Sequence, residues 1–402
     1  MQLSTRIWHR FYANTGTTSL RSWRKRFVNF EPETSAESIS KHVPMRSVWL
    51  LQLYASEAYR RGVITDAAVD AADAELPLLL TTMLCEAVER RLTRELSVGF
   101  NRRTATLHRV RGKIDVYATQ RHRLLDKGQI RCEFNELTSD HPVNRFLLHA
   151  LHYAEKLIQP LDTTVATRCR RLARAFEAAG VPSVPSTAEP TGRLSPADAH
   201  PTAVASLLLN LYVPRSGLGP HAFARAAVTE TYLRALFERA LLGIYRYHLA
   251  PLGWTVRGAK YVDWPINEAT TAQLPRMLTD IMLTAPDGTE VIVDAKFASM
   301  ATSNRTNSGY TLKSGHLYQI QSYVLSHSAA LTEYSDFRPV AGVMVYADLG
   351  APAAAFDTIQ NFRMHNHDFV FGALDLTTRA SRIRETALTM IQSLKHEPLA
   401  LN

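Results

Sequence analysis

Leu274-Pro-Arg-Met-Leu-Thr-Asp280-Ile-Met-Leu-Thr-Ala-Pro-Asp-Gly288-Thr-Glu-Val-Ile-Val-Asp294-Ala-Lys296-Phe297 is the stretch on which the reading of this chain turns. Two β-rich runs flank Pro286-Asp287-Gly288, a strong turn signal, so the spacing predicts a hairpin. Side chains on a strand alternate between faces, which puts Asp294 and Lys296 on the same side. Counting back across the turn sets Asp280 opposite residue 294 or 295, depending on whether a bulge is present. Ile281, Leu283, Val291 and Val293 mark the surroundings as core.

Two carboxylates at that spacing form a hard, oxygen-rich site suited to Mg²⁺, which keeps several of its waters. Such an ion polarises a scissile phosphate and lowers the pKa of an attacking water. Lys296 supplies a positive charge that holds the nucleophile or stabilises charge developing on phosphorus. An apolar setting also lowers a lysine pKa towards a general-base role, and the sequence leaves these roles open. By spacing alone, the same residues fit a surface hairpin whose Asp and Lys merely pair. The apolar strands argue instead for an internal hairpin, where unpaired charges are costly, and so for a functional site.

Outside the hairpin, Gln319 and Tyr323 stand at i and i+4 on a predicted helix, 316–326, placed to help hold a phosphate or a water. A solvated helix face fits their spacing equally well. Glu238, on a long predicted helix over 223–249, is a candidate third metal carboxylate beside Asp280 and Asp294. Pairing with Arg234 is its competing role. His365-Asn366-His367 spells HNH without the larger ββα unit that such a nuclease needs, and is set aside. The chain has no GxxxxGK[ST] phosphate loop and no GxSxG, and Ser216-Gly-Leu-Gly219 has the context of neither.

Further out, the pattern divides. Helices are predicted over 45–61, from an N-cap at Thr65, over 78–96 after Pro77, and over 144–157, 166–179 and 203–212. A short two-stranded element is predicted over 104–110 and 113–119, around Arg111-Gly112. Five prolines within 181–201 favour an extended surface connection. After the long helix come strands over 277–285, 290–297, 340–346 and 369–374, with a last helix over 379–393. The expected class is α/β, or mixed α+β: a mainly helical first domain with a small β element, then a domain with a mixed central sheet flanked by helices. The domain bounds expected are 43–215 and 220–402, with the boundary near 213–222. Residues 1–42, rich in Arg and Ser with no acidic residue before Glu31, read as a poorly ordered basic extension or an over-extended start.

Charge adds a partner class. The net charge is +9, and nine Lys and Arg between Arg102 and Arg131 face only Asp115 and Asp126. A polyanion such as nucleic acid suits that balance, although a charged run is often only a solvated face. Cys85, Cys132 and Cys169 show no CxxC spacing and read as reduced thiols in a cytoplasmic protein. No apolar run is long enough to span a bilayer.

Several motifs, in order, resemble the McrC family, the nuclease subunits of 5-methylcytosine-dependent restriction systems. In the second half they are Leu274-Pro-Arg-Met-x-x-Asp280, Ile292-Val-Asp294-Ala-Lys296-Phe297 and Leu317-Tyr-Gln319-x-x-x-Tyr323. The first half contributes Val43-Pro-Met-Arg-Ser-Val-Trp-Leu-Leu-Gln-Leu-Tyr-Ala55, Arg111-Gly-Lys-Ile-Asp115, and Phe134-Asn-Glu-Leu-Thr-Ser-Asp140 with Asn144-Arg145. The resemblance covers about residues 43–395. It implies a PD-(D/E)xK, restriction-endonuclease-like second domain that uses Mg²⁺ and cuts double-stranded, modified DNA. Its metal would be bound by Asp280 and Asp294, with Lys296 as the motif lysine. It also implies a first domain that docks on a hexameric McrB-like AAA+ GTPase and stimulates it, with GTP bound by the partner. Ser47, Ser56-Glu57 and Thr279 depart from the family pattern, Thr279 standing where the motif has proline. A non-catalytic adaptor and an autonomous repair nuclease are the competing roles. The intact Asp280, Asp294 and Lys296 argue against the first, and the N-terminal motifs against the second.

Overall fold

The computed structural model describes residues 43–71, 75–94, 96–184, 188–192, 194–211, 229–266, 273–298, 300–303, 310–334, 339–349 and 359–394. The basic extension 1–42 and the expected boundary near 213–222 lie outside them.

The first half is helical, as its apolar periodicity predicts. Helix α1 (Met45–Tyr54) breaks at Ala55, and Ser56 caps the one-turn α2 (Glu57–Arg60) by accepting the Tyr59 N–H, so the expected single helix 45–61 is two. Thr65 caps α3 (Asp66–Ala71). Pro77 sits in the first turn of α4 (Leu76–Leu92), where its missing N–H costs nothing.

The small β element differs from the expected two-stranded one. Strands β1 (Gly99–Leu107) and β2 (Lys113–Ile114) do not pair with each other; each pairs antiparallel with β3 (Ile130–Thr138), which lies between them. Residues 116–119, expected as strand, begin helix α5 (Val116–Arg121), because the Asp115 carboxylate accepts the Ala118 N–H and caps it. Strand β3 carries Glu133 and Glu136, which pair with Arg102 and Arg103 across the sheet. Its stabilising neighbours are thus charges, which apolar periodicity does not register.

Helices α6 (Pro142–Ile158) and α7 (Thr163–Ala178) form as predicted, and they pack together. The proline-rich connection is shorter than expected. Ser195 caps α8 (Pro196–Asn210), Pro196 occupies a first-turn position, and Pro201 lies buried inside the helix. One proline therefore starts a helix and another is tolerated within it, its lost hydrogen bond offset by apolar packing.

The second half opens with α9 (Glu230–Leu249), followed by strand β4 (Thr255–Gly258) and the ribbon β5 (Tyr261–Val262) with β6 (Met277–Leu278). Strands β7 (Ile281–Thr284) and β8 (Glu290–Lys296) form the predicted hairpin. A ribbon of β9 (Ala301–Ser303) and β10 (Tyr310–Leu312) precedes α10 (Ser314–Tyr334). Strands β11 (Val340–Asp348), β12 (Gln360–Met364) and β13 (His367–Asp375) and helix α11 (Ala380–Gln392) complete the fold. The six-stranded sheet runs β12-β13-β11-β8-β7-β4. Strand β11 is parallel to both neighbours and the other pairs are antiparallel, so the sheet is mixed as expected.

One face of this sheet, with Ile281, Leu283, Val291 and Val293, belongs to a core shared with α1, α9 and α11. The other face, with Met282, Ile292 and Met344, packs under Ile320, Tyr323 and Val324 of α10. The first core extends without a break into the helices of the first half. Contact between α1 and α9 is close: a Cβ placed on Gly243 would lie 1.9 Å from the Tyr54 carbonyl oxygen. Ser47 donates to the Leu376 carbonyl at 2.7 Å, and Arg384 of α11 reaches Tyr54, Asp66 and Asp70. All three cysteines are buried and unbridged, with the Cys85 and Cys169 sulfurs 3.3 Å apart. Among the described residues no helix is long and apolar enough to cross a membrane.

Candidate functional site

The turn sets the site. The Ala285 N–H donates to Thr289 O at 2.8 Å, the Gly288 N–H to Ala285 O at 3.0 Å, and Gly288 takes φ 90°. This three-residue turn with a left-handed glycine fixes the register Ile281↔Val293. Continued by one residue, that register brings Asp280 across from Asp294, the first of the two expected alternatives. The Asp280 carboxylate also accepts the Ala295 N–H at 2.9 Å, which anchors it beside the end of β8.

Asp280 and Asp294 are buried, at 6% and 0% exposure. Lys296 Nζ lies 2.8 Å from Asp294 Oδ2, its side chain 20% exposed, so the trio opens to solvent through the lysine end. Burial pushes the Lys296 ammonium towards neutrality, but the Asp294 and Asp280 carboxylates outweigh it and hold the pKa above the usual lysine range.

Helix α10 lines the site with one stripe. Gln319 Nε2 donates to the Tyr323 hydroxyl at 3.0 Å, and Tyr323 is 9% exposed. Burial, followed by Asp294, raises the Tyr323 pKa. Two further side chains belong here that sequence reasoning did not single out. Tyr346 of β11 stands in register with Lys296, and its hydroxyl lies 3.1 Å from His316 Nδ1. Burial, with Lys296 and Lys313 as further causes, pushes His316 down to about 4. The signal for His316 was its place three residues before Gln319 and seven before Tyr323, the same stripe of one helix.

Glu238 is half-buried on α9, and Arg234, its suggested partner, pairs with Glu230 instead. Among the described residues no group of three His, Cys, Asp or Glu is arranged to hold a metal. Thr279, at the motif's proline position, donates its N–H to Lys260 O at 3.0 Å and accepts the Lys260 N–H at 3.3 Å. A proline has no N–H for the first bond. His365 and Asn366 form the tight turn between β12 and β13, with φ of 51° and 63°, which accounts for the HNH spelling as hairpin chemistry.

Comparison with known proteins gives three findings. The family model described as "McrBC 5-methylcytosine restriction system component" matches residues 23–196. The Escherichia coli K12 protein named "Type IV methyl-directed restriction enzyme EcoKMcrBC" is 24% identical over 290 residues, covering 71% of this chain and 81% of its own. A chain in the refined half-complex of Thermococcus gammatolerans McrB AAA+ hexamers with bound McrC overlays with a TM-score of 0.42 at 16% identity. That overlay covers 85% of this chain and 76% of that one, and is too loose to carry a structural argument. The family model is matched across the helical half and the E. coli relative is aligned over most of the chain, so this chain is similar to McrBC restriction-system components.

Proposed function

We propose that the chain is the endonuclease subunit of a modification-dependent restriction complex, hydrolysing DNA phosphodiester bonds at Asp280, Asp294 and Lys296. The observation that carries this reading is the buried trio itself: two carboxylates against one ammonium, on a hairpin end whose lysine is the most exposed of the three. With both carboxylates ionised, the trio has a formal charge of one negative unit in an apolar setting, which a bound cation would offset.

Asp280 and Asp294 fit Mg²⁺, which takes one or two carboxylates and keeps waters in its other positions. The ion would polarise the scissile phosphate and supply an activated water. Lys296, held protonated, stabilises the charge that develops on the phosphate oxygens. Gln319 and Tyr323 position the phosphate or the water from α10, and His316 with Tyr346 packs the far wall. The first half is the part proposed to dock on an McrB-like AAA+ GTPase. Its support is the family match over residues 23–196 and the quoted N-terminal motifs, and in this reading modified cytosine is recognised by the partner.

The test is nicking of duplex plasmid with Mg²⁺ or with EDTA, by the unaltered chain, Asp280→Ala and Lys296→Ala, each with the partner present. Cleavage should need the metal and disappear in both variants while partner GTPase stimulation persists. Cutting by either variant at the unaltered rate would remove these residues from the chemistry.

A further inference from the structure

Beside the proposed nuclease site lies a ribbon that the chemistry above does not use. Strands β5 and β6 pair Tyr261 with Leu278 and Val262 with Met277. Val262 and Met277 turn inward and share a core with Ile320 and Tyr323 of α10. Tyr261 and Arg276, which alternate with them, turn outward, and Trp264 lies just past the end of β5. Tyr261 and Trp264 are 45% and 37% exposed, and Arg276 is exposed with its guanidinium 5.6 Å from the Tyr261 ring centre. The Trp264 indole donates to Pro275 O at 2.6 Å, tying the two strands of the ribbon together. The bonds between Lys260 and Thr279 fix the other end of the ribbon one residue before Asp280.

Among the described residues neither Lys260 nor Arg276 has an ion-pair partner, and Asp263 is the ribbon's one acidic residue. Two cations and two outward aromatic rings, covalently continuous with a catalytic aspartate, suit a sugar–phosphate backbone. Cations neutralise phosphates and ring faces pack on sugars or exposed bases. We infer that this ribbon is a DNA-holding lip of the site, in which Lys260 and Arg276 contact phosphates flanking the scissile bond and Tyr261 and Trp264 pack against the same strand. The inference rests on the nuclease reading for its choice of duplex DNA as the ligand. Continuity with Asp280 and charge complementarity select DNA over a protein partner.

Fluorescence anisotropy of the full chain with a labelled DNA duplex, in EDTA and at several salt concentrations, tests it. The Lys260→Ala/Arg276→Gln double variant should bind about tenfold more weakly, with a salt slope reduced by about two, one for each lost phosphate contact. Arg276→Lys should keep the slope, because its charge remains. Asp294→Ala should bind as the unaltered chain does while losing cleavage. A double variant with unaltered affinity and slope would overturn the lip, even if Asp294→Ala still abolished cutting. So would failure of the unaltered chain to bind DNA. Loss of binding in the double variant together with undiminished cutting by Asp294→Ala would instead keep the lip and sink the nuclease assignment.

Discussion

Lys296 and its two carboxylates make opposite predictions for single substitutions. Lys296→Met leaves a fully buried Asp294 without its cation, and losing one partner of a buried pair costs about 3 kcal/mol. Asp294→Asn leaves Lys296 near Asp280 and removes the excess negative charge, so stability should change little or rise. Chemical denaturation of both variants decides this, and equal losses would argue against a net negative site. His316 gives a pH prediction. Its pKa of about 4 lies below the ordinary 6.5, so on acidification the unfolded chain takes up this proton first. Stability should therefore fall as pH drops from about 6.5 towards 4, by on the order of 2 kcal/mol. His316→Gln should flatten that part of the curve, and an unchanged slope in denaturation melts would assign it to other groups. At this scale the sequence was legible where two signals coincided. Asp280, Asp294 and Lys296 were readable because turn chemistry and strand alternation agreed on one face. Tyr346 was not, because its place beside Lys296 comes from a parallel pairing of β8 with β11, and nothing local encodes that partner.

Elements were legible to the extent that their stability is local. The β7–β8 hairpin was readable because Pro286, Asp287 and Gly288 dictate the turn. Strand β3 was missed because Glu133 and Glu136 hold it through cross-strand arginines, and α8 was started too late because its prolines read as extended chain. Glycines that permit close approach are likewise visible only once elements are packed. Gly342 of β11 would put a Cβ 2.9 Å from Ile320 and from Phe369, so α10 lies directly over the strand at that point. Gly243 faces backbone, not a side chain that can swing away. Gly243→Ala should therefore cost about 1–3 kcal/mol and separate α1 from α9. A melting temperature equal to that of the unaltered protein would mean the two helices adjust freely.

Across the whole molecule, the expected division near residues 213–222 does not coincide with a gap in the apolar core. Helices α1 and α3 of the first half pack with α9 and α11 of the second, and Arg384 ties Tyr54, Asp66 and Asp70 to α11. The projecting sheet of β1, β3 and β2 stands apart from that core. Phe100 and Leu137, paired across it, are 74% and 62% exposed, and Arg109, Lys113, Arg121, Arg123 and Lys127 have no ion pair among the described residues. Charge reversal at Arg109, Arg121 and Lys127 together should weaken binding to DNA or to the AAA+ partner by an amount that shrinks as salt rises. Unchanged binding at every salt concentration would leave those cations as a solvated face. The class of the fold was legible in periodicity. The continuity of the core was not, because it depends on which helix faces meet.

The most direct measurement is cleavage of methylated and unmethylated plasmid, with Mg²⁺ and GTP, by this chain together with an McrB-like partner, Asp294→Ala run beside it. Cutting that requires methylation and GTP, and is lost in the variant, is the predicted result. GTPase stimulation without any cutting, or cutting that survives Asp294→Ala, would contradict the account.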